Sequence, residues 1–505
     1  AKRARKYMSM IFYDNELVTK GMANKIADNL VAASSLTYVA FNPLGNFNNY
    51  VMGRLNNNIE MLGGRYFSKK NFLRAGKEYN LQALQSGIFK RLGTATLDLA
   101  DIATLGKAGL KVSNYDPDKA NNKYEGFVEE FRMMDPSTDI RESGRDNDGK
   151  TVWERFKAWG YVLQDAAEYN VQTRVGISML MDTIIENSKT GESLSFYDAH
   201  SFNQETHKLE LKEGYDTIVT KDGNKIKYTD EFRYDIRNKI REVNKQIHGN
   251  YAKEDKMVLQ SYTLGNLAAQ FKKWVAPAIR SRFQREYFDE NLGHMEGRYR
   301  SFWKFLAYTK QQIFLGNRDF RKYSDGFLEE YGFTGKGGNR DQFAVNKLKG
   351  FYRTMGEAGI ILTVMAMNLL FDGLLSGDDD DSDAMIKLKH ALKKQGSRTY
   401  QELVAFVPVS PAGWEQLFGM IESPIATTKV LGEMTEAFTQ TIFTPAAMLY
   451  YSDKEFYSNS DYVYQNRPRR GQLKLAKEWK DVIPILYTIQ KWDNLIKEQE
   501  YSIKY

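Results

Sequence analysis

No cysteine occurs in the 505 residues, which excludes disulfides, Cys-ligated zinc, iron–sulfur clusters and thiol nucleophiles together. Packing alone must hold the fold. Proline is scarce too, with 10 residues, about 2% where about 5% is usual, so long helices are expected. The five histidines, His200, His207, His248, His294 and His390, form no His-Glu-x-x-His or similar ligand pattern. No apolar run reaches the roughly 20 residues that a bilayer-crossing helix needs. Gly335-Lys336-Gly337-Gly338-Asn339 lacks the spaced first glycine and the Lys-Ser/Thr pair of a phosphate loop. The acidic run from Asp378 carries Asp383 and Lys389 where a calcium loop needs Gly and Glu, so it reads as a solvated linker. Nucleophile elbow, kinase set and strand-borne dinucleotide fingerprint are missing, and carboxylate pairs such as Asp165 and Glu168 are ordinary on a charged helix. The expectation is a protein that is not an enzyme, with no cofactor, metal or small-molecule substrate.

What is present is a globular composition. Hydrophobic residues make up 42% and charged residues 27%, enough for a sizeable core. A length of 505 suggests about three domains or one long multi-lobed body. The net charge of +7 is modest, and it suits nucleic acid or an anionic membrane surface without requiring either. With 31 Tyr and 29 Phe, large buried interfaces are as natural as cores. The start, Ala1-Lys2-Arg3-Ala4-Arg5-Lys6, has no initiator Met and no following apolar stretch, as expected of a processed product or part of a longer chain without a secretory signal.

Periodicity predicts a mainly α fold, an elongated multi-lobed helical assembly with one small β-hairpin at about 208–228. Residues 1–106 read as helical hairpins, with a break at Asn42-Pro43-Leu44-Gly45, a helix from Asn48 to Leu62 stopped by Gly63-Gly64, and another from Phe72. Residues 107–150 read as an irregular connection. Within 151–250, Thr151 caps a long helix to about Ser188 lined by Val171, Val175 and Leu180. Next comes a surface hairpin, in which Thr217-Ile218-Val219 meets Lys225-Ile226-Lys227 across a primed turn at Asp222-Gly223. A helix with Phe232, Ile236, Ile240, Val243 and Ile247 follows, capped by Gly249. Residues 251–377 read as basic, aromatic and helical, ending in an apolar helix; 378–400 as an acidic linker with a short helix; 401–505 as apolar and helical segments with a kink at Pro484.

Two constellations remain as candidate sites. Lys272, Lys273, Trp274, Arg280 and Arg282, followed by Arg285, Arg298, Arg300, Trp303 and Lys304, interleave cations with aromatics, as phosphate-gripping, base-stacking surfaces do. The competing reading is an amphipathic helix with solvated cations and rings turned to the core. The second is the apolar run from Ala358 to Phe371, with Ile360, Ile361, Leu362, Val364, Met365, Leu369 and Leu370. At about fourteen residues it is short of a span, so the choices are a fully buried helix or one that enters membrane conditionally behind Lys349 and Arg353.

Several stretches carry a resemblance. Phe41-Asn42-Pro43, Asn48-Asn49, Gly53 and Glu60-Met61-Leu62-Gly63-Gly64 resemble the very large virion proteins of crAss-like tailed phages of gut Bacteroidetes. His248-Gly249-Asn250-Tyr251, the run Leu264 to Trp274 and Arg280-Ser281-Arg282-Phe283 do so as well. The resemblance covers a minority of the chain and assigns no catalytic residue. It implies a virion-packaged cargo protein of a double-stranded DNA phage, stored in the capsid or tail and ejected with the genome into the host envelope or cytoplasm. Its implied partners are other virion proteins of the tail, portal or cargo, with DNA and host membrane after ejection. Such proteins are similar in role to the internal ejection proteins of short-tailed phages, and helices with local contacts would reform quickly after passing a narrow tail. Related virion proteins include RNA polymerases, but no Asp-x-Asp-x-Asp motif stands in this sequence. A DNA-binding or polymerase-associated helper is therefore one alternative, and a structural tail or portal-vertex component another.

Overall fold

The computed structural model describes residues 43–82, 120–133, 162–220, 223–249, 275–375 other than 318 and 337, 396–404 and scattered positions between 436 and 475. Of the described residues 65% are helical and 12% lie in strands, so the chain is mainly α. Helix α1 (Pro43–Gly63) starts at the proline of the expected break. Pro43 has no N–H to leave unpaired in a first turn, and Gly64 ends the helix at a φ of +59°. Helix α2 (Lys69–Glu78) is capped by Ser68, whose side chain accepts from the Asn71 N–H. Helix α3 (Lys123–Glu130) lies inside the stretch expected to be irregular. Asn122 is its N-cap, and Tyr124, Phe127 and Val128 are buried.

Helix α4 (Val162–Asp182) is the centre of the body, touched by α1, α2 and α3. It ends before the expected Ser188 because Asp182 is needed elsewhere. Its carboxylate accepts from Ser68 Oγ at 2.7 Å and Asn71 Nδ2 at 2.7 Å, tying the end of α4 to the start of α2. The β-branched pair Ile184-Ile185 then opens strand β1 (Ile184–Asn187). The expected Thr151 cap lies outside the described residues, as do the helix before Pro43, the acidic linker, Pro484 and nearly all of the last helix.

The single surface hairpin expected at 208–228 is replaced by more sheet. Strands β2 (Ser193–Ser195), β1, β5 (Tyr215–Val219) and β6 (Lys225–Lys227) form one sheet in the order β2-β1-β5-β6. Strands β3 (His200–Asn203) and β4 (Lys208–Leu211) form another. The β5–β6 pairing follows the expected register, with Ile218 opposite Ile226. Thr220 N donates to Asn224 O and Gly223 takes a φ of +78°, while Asp222 lies outside the described residues. Nor is the sheet an excursion: Ile185, Phe196, Tyr197, Tyr215 and Ile218 are buried in one cluster with the aromatic residues of α2 and α3. Pairing with β1 turns one face of β5 inward.

Helix α5 (Asp230–His248) matches its sequence pattern, burying Ile236, Ile240 and Val243, with Thr229 as N-cap and Gly249 just past its end. Beyond α6 (Val275–Phe283), strands β7 (Tyr287–Asp289) and β8 (Gly293–Met295) make a small hairpin within a region expected to be helical. Helices α7 (Arg298–Phe314), α8 (Tyr323–Glu330) and α9 (Asn339–Leu375) follow. Phe305, Tyr308, Tyr323, Phe327 and Leu348 form a second apolar cluster among them. Gly335 and Gly338 precede α9, both at positive φ. A short helix, α10 (Asp453–Ser458), begins with a Ser452–Glu455 capping box.

Candidate functional site

Helix α9 joins both sequence-derived candidates, because at 37 residues it is about 55 Å long and its two halves differ. The first half is pinned by ion pairs. Lys347, 1% exposed at its side chain, reaches Glu286 at 3.1 Å and Glu296 at 3.0 Å, while Lys304 reaches Glu296 at 2.5 Å. The Lys347 ammonium also lies 4.0 Å from the Phe343 ring centre, one helical turn back. Arg353 pairs with Glu60 of α1 through its Nε at 3.0 Å and one Nη. One turn on, Glu357 receives two guanidiniums. Arg282 of α6 donates from Nε at 3.1 Å and Nη2 at 2.6 Å, and Arg298 of α7 donates from Nε at 2.9 Å and Nη2 at 2.6 Å. Burial pushes the Glu357 carboxyl up, yet the Arg282 and Arg298 charges outweigh it and hold it down at about 2. Two guanidiniums on one buried carboxylate lock α6, α7 and α9 together.

This geometry corrects the nucleic-acid candidate. Arg282 is 7% exposed at its side chain and committed to Glu357, so it offers nothing to a phosphate. Arg298 is equally committed, and Lys304 is spent on Glu296. Arg280 is exposed on α6, one residue pair away from Arg282 on the opposite side. Lys272, Lys273 and Trp274 lie outside the described residues. Within 280–304, Arg282 and Arg298 thus belong to a buried ion-pair ladder, while Arg280, Arg285, Arg300 and Trp303 are exposed. The ladder's acidic members, Glu60, Glu296 and Glu357, were missed because one carboxylate on a helix looks like any other. The available signal was Glu357 standing alone just before fourteen uncharged positions, where a solvated charge has no reason to be.

The second half of α9 corrects the buried-helix reading. Leu362 is 65% exposed, Leu369 61% and Leu370 67%, and Met365 and Met367 are exposed with them. Ile360, Ile361, Val364 and Asn368 recur at three and four residues and are the half-covered face. On that side a Cβ on Gly396 would fall 2.2 Å from Asn368 Oδ1, so residues 396–404 approach α9 there through a residue without a side chain. The seven residues named from sequence thus divide: Ile360, Ile361 and Val364 face the body, and Leu362, Met365, Leu369 and Leu370 face outward. Arg353, expected as a flanking cation for lipid, is inside with Glu60.

Chemistry-bearing clusters are few. No group of three or more His, Asp or Glu side chains able to hold a metal occurs among the described residues. A cavity of about 70 Å³ beside the ladder is lined by Glu60, His248, Ser281, Arg282 and Arg298. Glu60 Oε2 is buried there without a hydrogen-bond partner. No helix of the described residues is long and apolar enough to cross a membrane. No known protein family, curated protein or solved structure matches the chain.

Proposed function

We propose that this chain is a virion-packaged cargo protein of a crAss-like tailed phage, an elongated multi-lobed helical protein stored in the capsid or tail and ejected with the genome, and that α9 meets the host envelope. The observation that supports this reading is the outward apolar face of α9 at Leu362, Met365, Met367, Leu369 and Leu370. Contiguous exposed apolar surface marks an interaction site. Positions 358–371 carry no charge and, at about 1.5 Å per residue, run for about 20 Å, too short to span and long enough to lie in the interface. The ion-pair ladder supplies a rigid base: charge is neutralised internally behind the face that would enter lipid. Such a helix lies along a membrane rather than through it.

Two measurements test the reading. Mass spectrometry of phage particles before and after genome ejection is expected to show the chain lost with the DNA; full retention would make it a structural tail or portal-vertex component. Flotation with vesicles of phosphatidylethanolamine and phosphatidylglycerol is expected to carry the wild-type chain and to lose the Leu362→Asp/Leu369→Asp variant. Equal flotation of both, or none of the wild type, removes the envelope role.

A further inference from the structure

A cleft of about 500 Å³ opens where α1, α2 and α4 meet. Arg54 of α1, Lys77 of α2 and Arg174 of α4 line it together with Tyr50, Leu73 and Asn170, and its described lining includes no carboxylate. Among the described residues the buried Arg282, Arg298, Lys347 and Arg353 are each met by an acid, whereas Arg174, like Arg65, which reaches His294 O, is not. Arg174 is 6% exposed, and its Nε is buried without a hydrogen-bond partner. One Nη donates to Phe72 O at 3.3 Å, and the guanidinium lies 4.5 Å from the Phe72 ring centre. It lies there because residue 76 is glycine: a Cβ at Gly76 would fall 2.3 Å from that Nη. Arg54 makes one long contact, 3.5 Å, to Asn170 Oδ1, and Lys77 is exposed.

We propose that this cleft binds a phosphate group, supplied either by a nucleic-acid strand or by a free nucleotide. Three cations from three helices converge with amide donors from Asn80 and Asn170, the donor set that phosphate oxygens take. The Arg174 guanidinium makes one long bond, to Phe72 O, and a phosphate supplies the counter-charge its burial lacks. Tyr50 and the exposed Leu73 and Leu81 give the rim an apolar surface on which a base can rest. The volume falls in the range of small-ligand pockets and is far above that of a single ion. The inference is independent of the α9 reading, since the two sites share no residue, and it places nucleic-acid contact away from 272–282.

The test is fluorescence anisotropy of the full chain with a labelled twelve-nucleotide single strand and with a labelled ATP analogue, at about 50 and 200 mM salt. At least one probe is expected to bind at low salt, with affinity reduced tenfold or more by Arg54→Gln/Lys77→Gln and less than twofold by the exposed control Lys336→Gln. Neither replaced side chain is in the core, so folding of the double variant is secure. For the strand, the slope of log affinity against log salt should drop by about 1.4, two contacts at about 0.7 each. Gly76→Ala, which displaces Arg174, should weaken binding with an unchanged circular dichroism spectrum. Strand binding that millimolar ATP or phosphate displaces assigns the site to free nucleotide, and binding that resists them assigns it to a strand. No binding of either probe at low salt, or equal loss with Lys336→Gln, overturns the proposal.

Discussion

Glu357 is 2% exposed at its side chain and shared by Arg282 and Arg298, so its replacement leaves two guanidiniums buried without a counter-charge. Glu357→Gln should cost about 3–5 kcal/mol in urea unfolding, the usual loss when one member of a buried ion pair is removed. Its carboxyl is held at about 2, below its value of about 4.5 in the unfolded chain. The folded state therefore favours the ionised form, and this stabilisation, about 3 kcal/mol, is complete above pH 4.5 and lost as the pH falls towards 2. His200 acts earlier in the same titration. Burial against Phe127 and Phe196 holds its imidazole neutral and down at about 4, although Nδ1 lies 2.8 Å from Phe196 O. Between pH 6.5 and 4 the unfolded chain takes up a proton that the folded chain refuses, so stability falls as pH falls through that window. Burial holds His248 down as well, at about 3, so urea midpoints between pH 7 and 4 should show the slope of both imidazoles, and His200→Gln should reduce it to that of His248 while leaving the steeper loss below pH 4.5 in place.

At the scale of the element, α9 shows what periodicity conveys and where it stops. The run from Ala358 to Phe371 is apolar all round, so counting hydrophobic residues cannot say which face is covered. Neighbours decide that: residues 396–404 cover the Asn368 side, and Leu362 and Leu369 are left outward. Val364→Asp, on the half-covered face, should cost more than 1 kcal/mol, whereas Leu362→Asp should stay within about 0.5 kcal/mol of wild type. Equal costs in urea unfolding would show that both faces are alike. Helix α5 lies at the other extreme. Its apolar spacing, Thr229 cap and terminal Gly249 are local signals, and local hydrogen bonding realises each one. Helix α3 was illegible for the converse reason: eight residues behind Asn121-Asn122 resemble a loop until Tyr124 and Phe127 find the aromatic cluster.

At the scale of the whole molecule, contacts between distant parts of the chain organise the fold. Arg353 meets Glu60 293 residues away, and Asn48 Nδ2 donates to Glu402 at 3.0 Å across 354. The local contacts expected of a chain that refolds quickly after ejection are joined by these long closures, which slow folding. Refolding from urea, followed by fluorescence of the seven tryptophans, should take milliseconds to seconds; a microsecond phase accounting for all the amplitude would contradict this. The mainly α character, the absence of disulfides, the α5 boundaries and the β5–β6 register were determined by the sequence alone, because each follows from composition or from hydrogen bonds within a few residues. Which charges are buried together, which face of α9 is bare and which cations are left without acids were decided only by tertiary structure. Those properties depend on what lies opposite a side chain, and a residue hundreds of positions away supplies it.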